Sequence, residues 1–122
     1  MKLNIATLLI SFLFVFSPSS HAENWILIKF DEKAAVYVDK DSIKKAGVYI
    51  AASQKVVLPA LKTEVINHTL YNCKERESSL QKMLVYRPDG VVDELSKPEK
   101  TWSYIAKGND GNALSLDYVC SK

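Results

Sequence analysis

His68 is the only histidine in residues 23–122, which makes it the first side chain to consider for acid–base chemistry. A serine hydrolase needs such a histidine between a serine and a carboxylate. Ser53, Ser78 and Ser79 are the serines to consider beside it, but none lies in a Gly-x-Ser-x-Gly sequence, the pattern typical of a hydrolase nucleophile. A single histidine in a strand-forming stretch is more typical of a surface or half-buried position. We therefore predict no catalytic residue in the chain.

Neighbouring carboxylates are the second candidate for chemistry, because glycosidases use two acids that face each other across a cleft. The candidate pairs are Asp39 and Asp41, Glu75 and Glu77, and Asp93 and Glu94. The second pair lies in a run of alternating charge that is typical of a solvated strand end, and Asp39 or Asp41 suits the N-cap of a helical turn. The four glycines are scattered and form no phosphate-binding loop. The sequence therefore predicts neither an enzyme nor a bound cofactor.

Cys73 and Cys120 are the only two cysteines in the chain. With one distant histidine they are too few for a four-ligand zinc site, and no Cys-x-x-Cys motif occurs, so we predict no metal centre. In an oxidising compartment, two thiols of a small domain form a structural disulfide. The chain-entropy treatment assigns about 4 kcal/mol to a loop of this length, which is comparable with the net stability of a small domain.

The N-terminal residues have the order of a secretory signal peptide. Lys2 precedes an apolar run over residues 5–16, and a short stretch with Pro18 leads to the small-x-small sequence Ser20-His21-Ala22. A transmembrane anchor is the alternative, but it needs about 20 apolar residues and this run is shorter. We predict a signal peptide over residues 1–22 and one exported domain over residues 23–122, with no cysteine at the cut for lipid attachment and hence no stable membrane anchor.

The charge balance bears on the class of partner. The chain has 16 Lys and Arg residues against 14 Asp and Glu residues, a formal net charge of +2. A balance so close to neutral gives no reason to expect a nucleic-acid or anionic-membrane partner.

The elements that position these residues are mostly strands. Short β-branched and aromatic stretches predict about six of them, over residues 25–30, 35–39, 48–58, 65–76, 79–87 and from 91 onward. Residues 39–45 predict one helical turn, and residues 59–64 and 95–100 predict loops. Pro88-Asp89-Gly90 predicts a tight turn, because Pro presets the first turn residue and Gly tolerates positive φ.

The last segment predicts the helix. Asn109 or Asp110 suits its N-cap, and the apolar positions from residue 113 recur at helical spacing in a stripe that includes Cys120. Cys120 is therefore expected to face the strand that carries Cys73. The predicted fold class is α+β: an antiparallel β-sheet of about six strands with a C-terminal helix tied to one face by a disulfide.

Four lysines around the first long strand are the binding candidates: Lys44, Lys45, Lys55 and Lys62. Tyr49, Tyr71 and Tyr86 lie on the predicted strands nearby, and aromatic and basic side chains together are typical of protein-binding surfaces. The alternative is that the tyrosines pack under the helix and the lysines only keep the sheet soluble, which is ordinary for a small domain.

With these residues identified, the chain resembles the surface-adhesin protein E family of Gram-negative bacteria. The resemblance rests on an ordered set of positions: Trp25, Tyr37-Val38-Asp39, Ser42-Ile43, Gly47, Tyr71-Asn72-Cys73-Lys74-Glu75-Arg76, Tyr86, Gly90-Val91-Val92, Trp102, Ile105 and Val119-Cys120. It implies a multi-stranded antiparallel sheet with a disulfide-tied C-terminal helix. The family's namesake is an outer-surface lipoprotein that binds host matrix and serum proteins such as vitronectin, laminin and plasminogen.

The expected function is an exported, non-catalytic protein-binding module, adhesin-like, with a host matrix or serum protein or an envelope protein as its partner. The alternatives are a small periplasmic inhibitor of an exported enzyme and an envelope structural or accessory protein, because fold does not fix function. An inhibitor would insert the loop over residues 59–64 into its target, whereas an adhesin would bind through a spread basic surface in a salt-sensitive manner. Without a lipid anchor the expected location is the periplasm, with the cell surface or secretion as alternatives. The sequence leaves the partner's identity and the oligomeric state open.

Overall fold

The structure is a computed structural model that describes residues 23–96 and 101–122. The predicted signal peptide, residues 1–22, lies outside the described residues, as does part of the loop predicted over residues 95–100. Within the described residues no helix is both long enough and apolar enough to cross a membrane.

The described residues form one antiparallel sheet and a C-terminal helix. The strands are β1 Trp25–Phe30, β2 Ala35–Asp39, β3 Lys44–Ala46, β4 Tyr49–Leu58, β5 Thr63–Asn72, β6 Glu77–Tyr86, β7 Val92–Ser96 and β8 Ser103–Tyr104, and the helix is α1 Gly111–Cys120. The main order across the sheet is β1-β2-β4-β5-β6-β7, with β3 paired to β4 and β8 paired to β6. The α+β class and the disulfide-tied helix predicted from the sequence are confirmed.

The sheet has eight strands where the sequence predicted about six, and the difference has a local cause. The helical turn predicted over residues 39–45 is only the 3-10 turn Lys40–Ser42, because Lys44–Ala46 pairs with β4 instead. Ser103–Tyr104 is likewise extended because it pairs with the start of β6. Strands of two or three residues carry too few side chains to show a periodic pattern.

Two predicted boundaries also shift. The strand predicted to run to residue 76 ends at Asn72, and the turn that follows it comprises residues 73–76. Arg76 has a φ of 53°, the left-handed conformation that closes such a turn. The loop predicted over residues 59–64 is a 3-10 turn at Pro59–Leu61, and Lys62 alone separates it from β5.

The core lies between α1 and one face of the sheet. Side chains alternate between the two faces of a strand, so one face, here called the helix face, carries Val38, Ala52 and Tyr71. Leu116 and Val119 of α1 pack on these residues and are almost fully buried. Asp110 caps the helix by accepting a hydrogen bond from the Ala113 amide, as the sequence predicted. The opposite face, here called the far face, carries side chains such as Tyr37, Ser53 and His68.

The disulfide between Cys73 and Cys120 joins the β5–β6 turn to the last residue of α1. The two Cα atoms lie 5.7 Å apart, although the residues are 47 positions apart in sequence. Closing a loop of this length restricts the unfolded chain and stabilises the fold by about 4 kcal/mol.

Hydrogen bonds between side chains fix the position of α1 on the sheet. The Gln54 side-chain amide donates to the Ser115 hydroxyl over 2.9 Å, and the Asn67 amide donates to the Gln54 carbonyl oxygen over 3.0 Å. Gln54 and Ser115 are buried, so their polar atoms need these partners. The helix therefore has one preferred register on the sheet, which places its C-terminus beside β3.

Candidate functional site

Among the described residues, the main candidate site is a cleft of about 320 Å³ between β3 and the C-terminal end of α1. We call it the lysine cleft, and its lining residues are Lys40, Ile43, Lys44, Lys45, Ile50 and Lys122. All four lysines are exposed, whereas both isoleucines are partly buried and pack against the core. The cleft thus has an apolar floor and a cationic rim.

One wall of the lysine cleft is set by the segment between β2 and β3. The Asp39 carboxylate accepts hydrogen bonds from the amides of Asn24 and Asp41, at 3.1 and 3.0 Å, and so holds the 3-10 turn that carries Lys40. The sequence predicted this capping role for Asp39 or Asp41. The Ser42 hydroxyl donates to the Asp39 carbonyl over 2.7 Å and accepts from the Ser53 amide over 2.8 Å. β2 and β3 both pair with β4. Ser42 links the turn between them to β4 through these two hydrogen bonds.

The hairpin of β3 and β4 places two of the lysines. Its turn has only two residues, since Ala46 pairs with Tyr49, and Gly47 there has a φ of 71° that other residues rarely adopt. Lys45 lies opposite Ile50 in this pairing, and Lys44 lies opposite Ala51. Because side chains alternate along a strand, Lys45 lies beside the apolar floor, whereas Lys44 projects from the other side of β3 at the edge of the cleft.

The other wall is the end of α1. Cys120 is bonded to Cys73, so the residues just beyond it are held against the sheet. The Lys122 ammonium lies 4.7 Å from the centroid of the Tyr118 ring, a cation–π contact. Its place beyond the helix C-terminus is also favourable for a cation.

The ammonium groups of the lysine cleft have no carboxylate close by. Within residues 23–96 and 101–122, none of the four lysines lies within 4.0 Å of a carboxylate oxygen, whereas Lys82 on β6 pairs with Glu94 at 3.5 Å. The exposed ammonium groups of the cleft are therefore available to an anionic ligand, and such contacts are screened by salt.

The structure brings only two of the four predicted binding lysines together. Lys44 and Lys45 line the lysine cleft. Lys55 lies on the far face, with its ammonium 4.8 Å from the ring centroid of Trp25 and 5.2 Å from that of Tyr37. Lys62 lies in the β4–β5 turn at the opposite end of β4.

The three tyrosines named with those lysines have separate environments. Tyr71 is buried in the core, and burial raises the pKa of its hydroxyl to about 12. Tyr49 packs on Trp102 with ring centroids 4.8 Å apart, and Tyr86 is exposed near the end of β6. Only Tyr71 packs under the helix.

His68 and Ser53 are hydrogen-bonded on the far face, with 2.9 Å between the Ser53 hydroxyl and His68 Nδ1. They are neighbours because they are paired directly across β4 and β5. An acyl-transfer site also needs free N–H groups for an oxyanion and an acid to orient the histidine. The Ser53 amide already donates to Ser42, and the residue paired with His68 on β6 is Lys82, which is a cation.

Three of the carboxylates singled out in the sequence have structural partners. Asp39 caps the 3-10 turn, Asp93 pairs with Arg87 at 3.0 Å, and Glu94 pairs with Lys82. Among the residues that the structure describes, no group of three or more His, Cys, Asp or Glu side chains could hold a metal ion.

Sequence reasoning missed four of the six residues that line the lysine cleft. Lys40 and Lys122 were not among the candidates, and neither isoleucine of the floor was considered for binding. The sequence did indicate that Lys122 lies close to the sheet, because it follows the predicted disulfide cysteine by two positions. The pairing of Cys73 with Cys120 does not by itself indicate which strand this end of the helix faces.

One comparison with known proteins identifies the chain. No curated protein and no solved structure is significantly similar to it. The family model described as Surface-adhesin protein E matches residues 25–121, a range that includes all of the strands, the helix and both cysteines described above. The chain therefore belongs to the surface-adhesin protein E family.

Proposed function

We propose that this protein is an exported, non-catalytic, adhesin-like module that binds other proteins, and that the lysine cleft is its binding site. Membership of a family of surface adhesins supports the class of function. The observation that carries the choice of site is the pairing of an apolar floor, Ile43 and Ile50, with four lysines that have no carboxylate partner among the described residues.

The rigidity of the site supports a role in binding. One wall is held by the disulfide at Cys120 and the other by the Asp39 cap. A preformed site does not have to lose conformational entropy when a partner binds, so more of the contact energy appears as affinity. The spread of exposed lysines along the rim further suits a salt-sensitive interaction with an acidic partner surface.

The partners that family membership suggests are host matrix and serum proteins, and an envelope protein is the alternative class. The test is surface plasmon resonance of residues 23–122 on immobilised vitronectin, laminin and plasminogen, with serum albumin as the reference surface. We expect binding that weakens at least tenfold between 50 and 300 mM salt, in the range that screening of several ion pairs produces. Binding to albumin at the same strength would overturn the proposed function.

A matched pair of variants tests the proposed site. Lys44→Gln combined with Lys45→Gln should weaken binding at least tenfold, whereas Lys33→Gln combined with Lys107→Gln should change it less than twofold. Both pairs remove two exposed positive charges, but only the first pair lines the lysine cleft. Equal losses in the two double variants would mean that net charge alone governs binding.

The non-catalytic part of the proposal is tested at His68. Ser53 and His68 are the two side chains whose contact most resembles a catalytic pair. We expect no esterase or peptidase turnover by the wild-type domain above that of the variant His68→Ala. Turnover that is lost in this variant would make the protein an enzyme.

The β4–β5 turn supports a second candidate, an inhibitor of an exported enzyme. Leu61 is 63% exposed at the tip of this turn, and Lys62 follows it with a φ of 50°, so the turn presents an apolar and a basic side chain in a fixed conformation. For an inhibitor, Lys62→Ala should abolish binding to the target enzyme while the Lys44 and Lys45 changes have no effect. For an adhesin the reverse is expected.

A further inference from the structure

The lysine cleft places two opposite chemical demands on a ligand. Its floor is apolar, because Ile43 and Ile50 line it, and its rim is formed by lysines. A small inorganic anion would pair with the lysines of the rim but would leave the isoleucines of the floor in contact with water. A purely apolar side chain would cover the floor and leave the lysines without a counter-charge. A ligand that fits must therefore combine an aliphatic group with flanking negative charges.

The size of the lysine cleft sets the scale of that ligand. About 320 Å³ is the lower end of the volume of ordinary ligand pockets and holds one or two side chains rather than a folded surface. The cleft is open to solvent along its lysine rim, so a chain can enter and leave it. These dimensions suit a short peptide segment with one inserted side chain.

The aliphatic floor favours one of two kinds of anionic ligand over the other. A sulfated polysaccharide has charge along its length but no aliphatic group to place on Ile43 and Ile50. An acidic peptide has both, because Asp or Glu residues can flank a leucine, isoleucine or valine. Aspartate and glutamate also place their charges within side-chain reach of the rim on either side of the inserted residue.

We infer that the lysine cleft binds an acidic peptide segment of a partner protein, with one branched aliphatic side chain on the isoleucine floor and flanking carboxylates on Lys40, Lys45 and Lys122. This inference rests on the proposed function and names the chemistry that the same site recognises. The fixed walls at Asp39 and Cys120 give the inserted side chain a preformed place. Binding is then selective for the combination of charge and aliphatic group.

Fluorescence anisotropy with labelled pentapeptides tests the inference on residues 23–122. The reference peptide has a central leucine flanked on each side by two acidic residues. Replacing its leucine with serine should weaken binding about tenfold, because the floor loses its apolar contact. Replacing its acids with the corresponding amides should weaken binding at least tenfold and remove the salt dependence. Changing the peptide leaves the protein's fold untouched.

The protein side of the test uses the matched lysine pairs. Lys44→Gln with Lys45→Gln should weaken binding of the reference peptide at least tenfold, and Lys33→Gln with Lys107→Gln less than twofold. A heparin-derived oligosaccharide is the competing probe. If the oligosaccharide binds more tightly than the reference peptide, or if the serine peptide binds as well as the leucine peptide, the inference is wrong.

The same experiments separate this inference from the proposed function. If an immobilised host protein binds in a manner that depends on Lys44 and Lys45 while the reference peptide does not bind at 1 mM, the acidic-peptide inference fails and the proposed site stands. If the reference peptide binds with the expected dependence on charge and leucine while no host protein binds, the host-partner proposal fails and the inference stands.

Discussion

Arg76 donates a hydrogen bond from Nη1 to Asp117 Oδ1 over 2.8 Å, and this ion pair joins the β5–β6 turn to α1. Arg76 Nε also donates to the Ile105 carbonyl over 3.0 Å, and the Arg76 carbonyl accepts from the Ile105 amide over 2.7 Å. Arg76 lies three positions after Cys73, and its contacts connect the β5–β6 turn to the segment after β8 and to the helix. The sequence had suggested that this charged stretch is a solvated strand end, but the Arg76 side chain is only 18% exposed.

Replacing Arg76 should therefore be costly. We expect Arg76→Ala to lower the free energy of unfolding by about 1.5 to 3 kcal/mol, the range for hydrogen bonds that involve a charged group. Arg87→Ala is the matched control, since Arg87 is 45% exposed and pairs with Asp93 at the surface, where such a pair contributes about 1 kcal/mol or less. Urea unfolding followed by circular dichroism measures both. Equal losses would show that Arg76 acts only as a surface charge.

The disulfide should account for a large share of the stability. Changing Cys73 and Cys120 together to Ala should lower the free energy of unfolding by about 4 kcal/mol, because the unfolded chain is no longer closed into a loop of 47 positions. Reductant should lower the urea midpoint of the wild-type domain and leave that of the double variant unchanged. A wild-type midpoint that does not respond to reductant at denaturing urea concentrations would contradict this prediction.

Gly111 lies so close to β2 that a side chain has no room there. A Cβ at this position would be 2.9 Å from Val36 Cγ2, which is closer than van der Waals contact allows. Gly111→Ala should lower the free energy of unfolding by about 1 to 3 kcal/mol, as overpacking does. Gly108→Ala is the control, because its Cβ would meet Asp110 Oδ1 at an ordinary 3.6 Å. Thermal melts that shift equally for both variants would argue against the close packing of α1 on β2.

Tyr71 should make stability depend on alkaline pH. Burial raises the pKa of its hydroxyl from 10.0 in the unfolded chain to about 12 in the fold. The unfolded state then loses the proton first, so the contribution of Tyr71 is fully present below pH 10 and is lost as the pH rises through 12. Tyr71→Phe should flatten the fall of the urea midpoint between pH 10 and 12, whereas Tyr104→Phe, at a site that is 68% exposed, should not. An unchanged slope in the Tyr71 variant would contradict the prediction.

The predictions that succeeded from sequence depend on local patterns. The N-cap at Asp110 and the buried stripe of α1 follow from residues within a few positions of each other. The disulfide was also predictable, because two cysteines allow only one intramolecular pairing. Short strands such as β3 and β8 were missed, since their extended conformation comes from pairing with β4 and β6 rather than from their own side chains.

The site was only partly predictable for a related reason. Lys44 and Lys45 are adjacent, so the sequence already placed their backbones at the same edge of the sheet. Lys122 joins them only because the register of α1 on the sheet brings the chain end beside β3. The contact between Ser53 and His68 likewise depends on the register of β4 against β5. A shift of one residue in this register would move one of the two side chains to the opposite face of the sheet.

The amino-acid sequence by itself determined the helix, the longer strands, the single disulfide pairing and the family resemblance of this protein, because each depends on residue types and their spacing along the chain. The tertiary structure decided which basic side chains share a cleft and which face of the sheet each occupies. These features depend on strand register and helix packing, which are set by the burial of residues far apart in sequence, such as Val38, Tyr71 and Leu116.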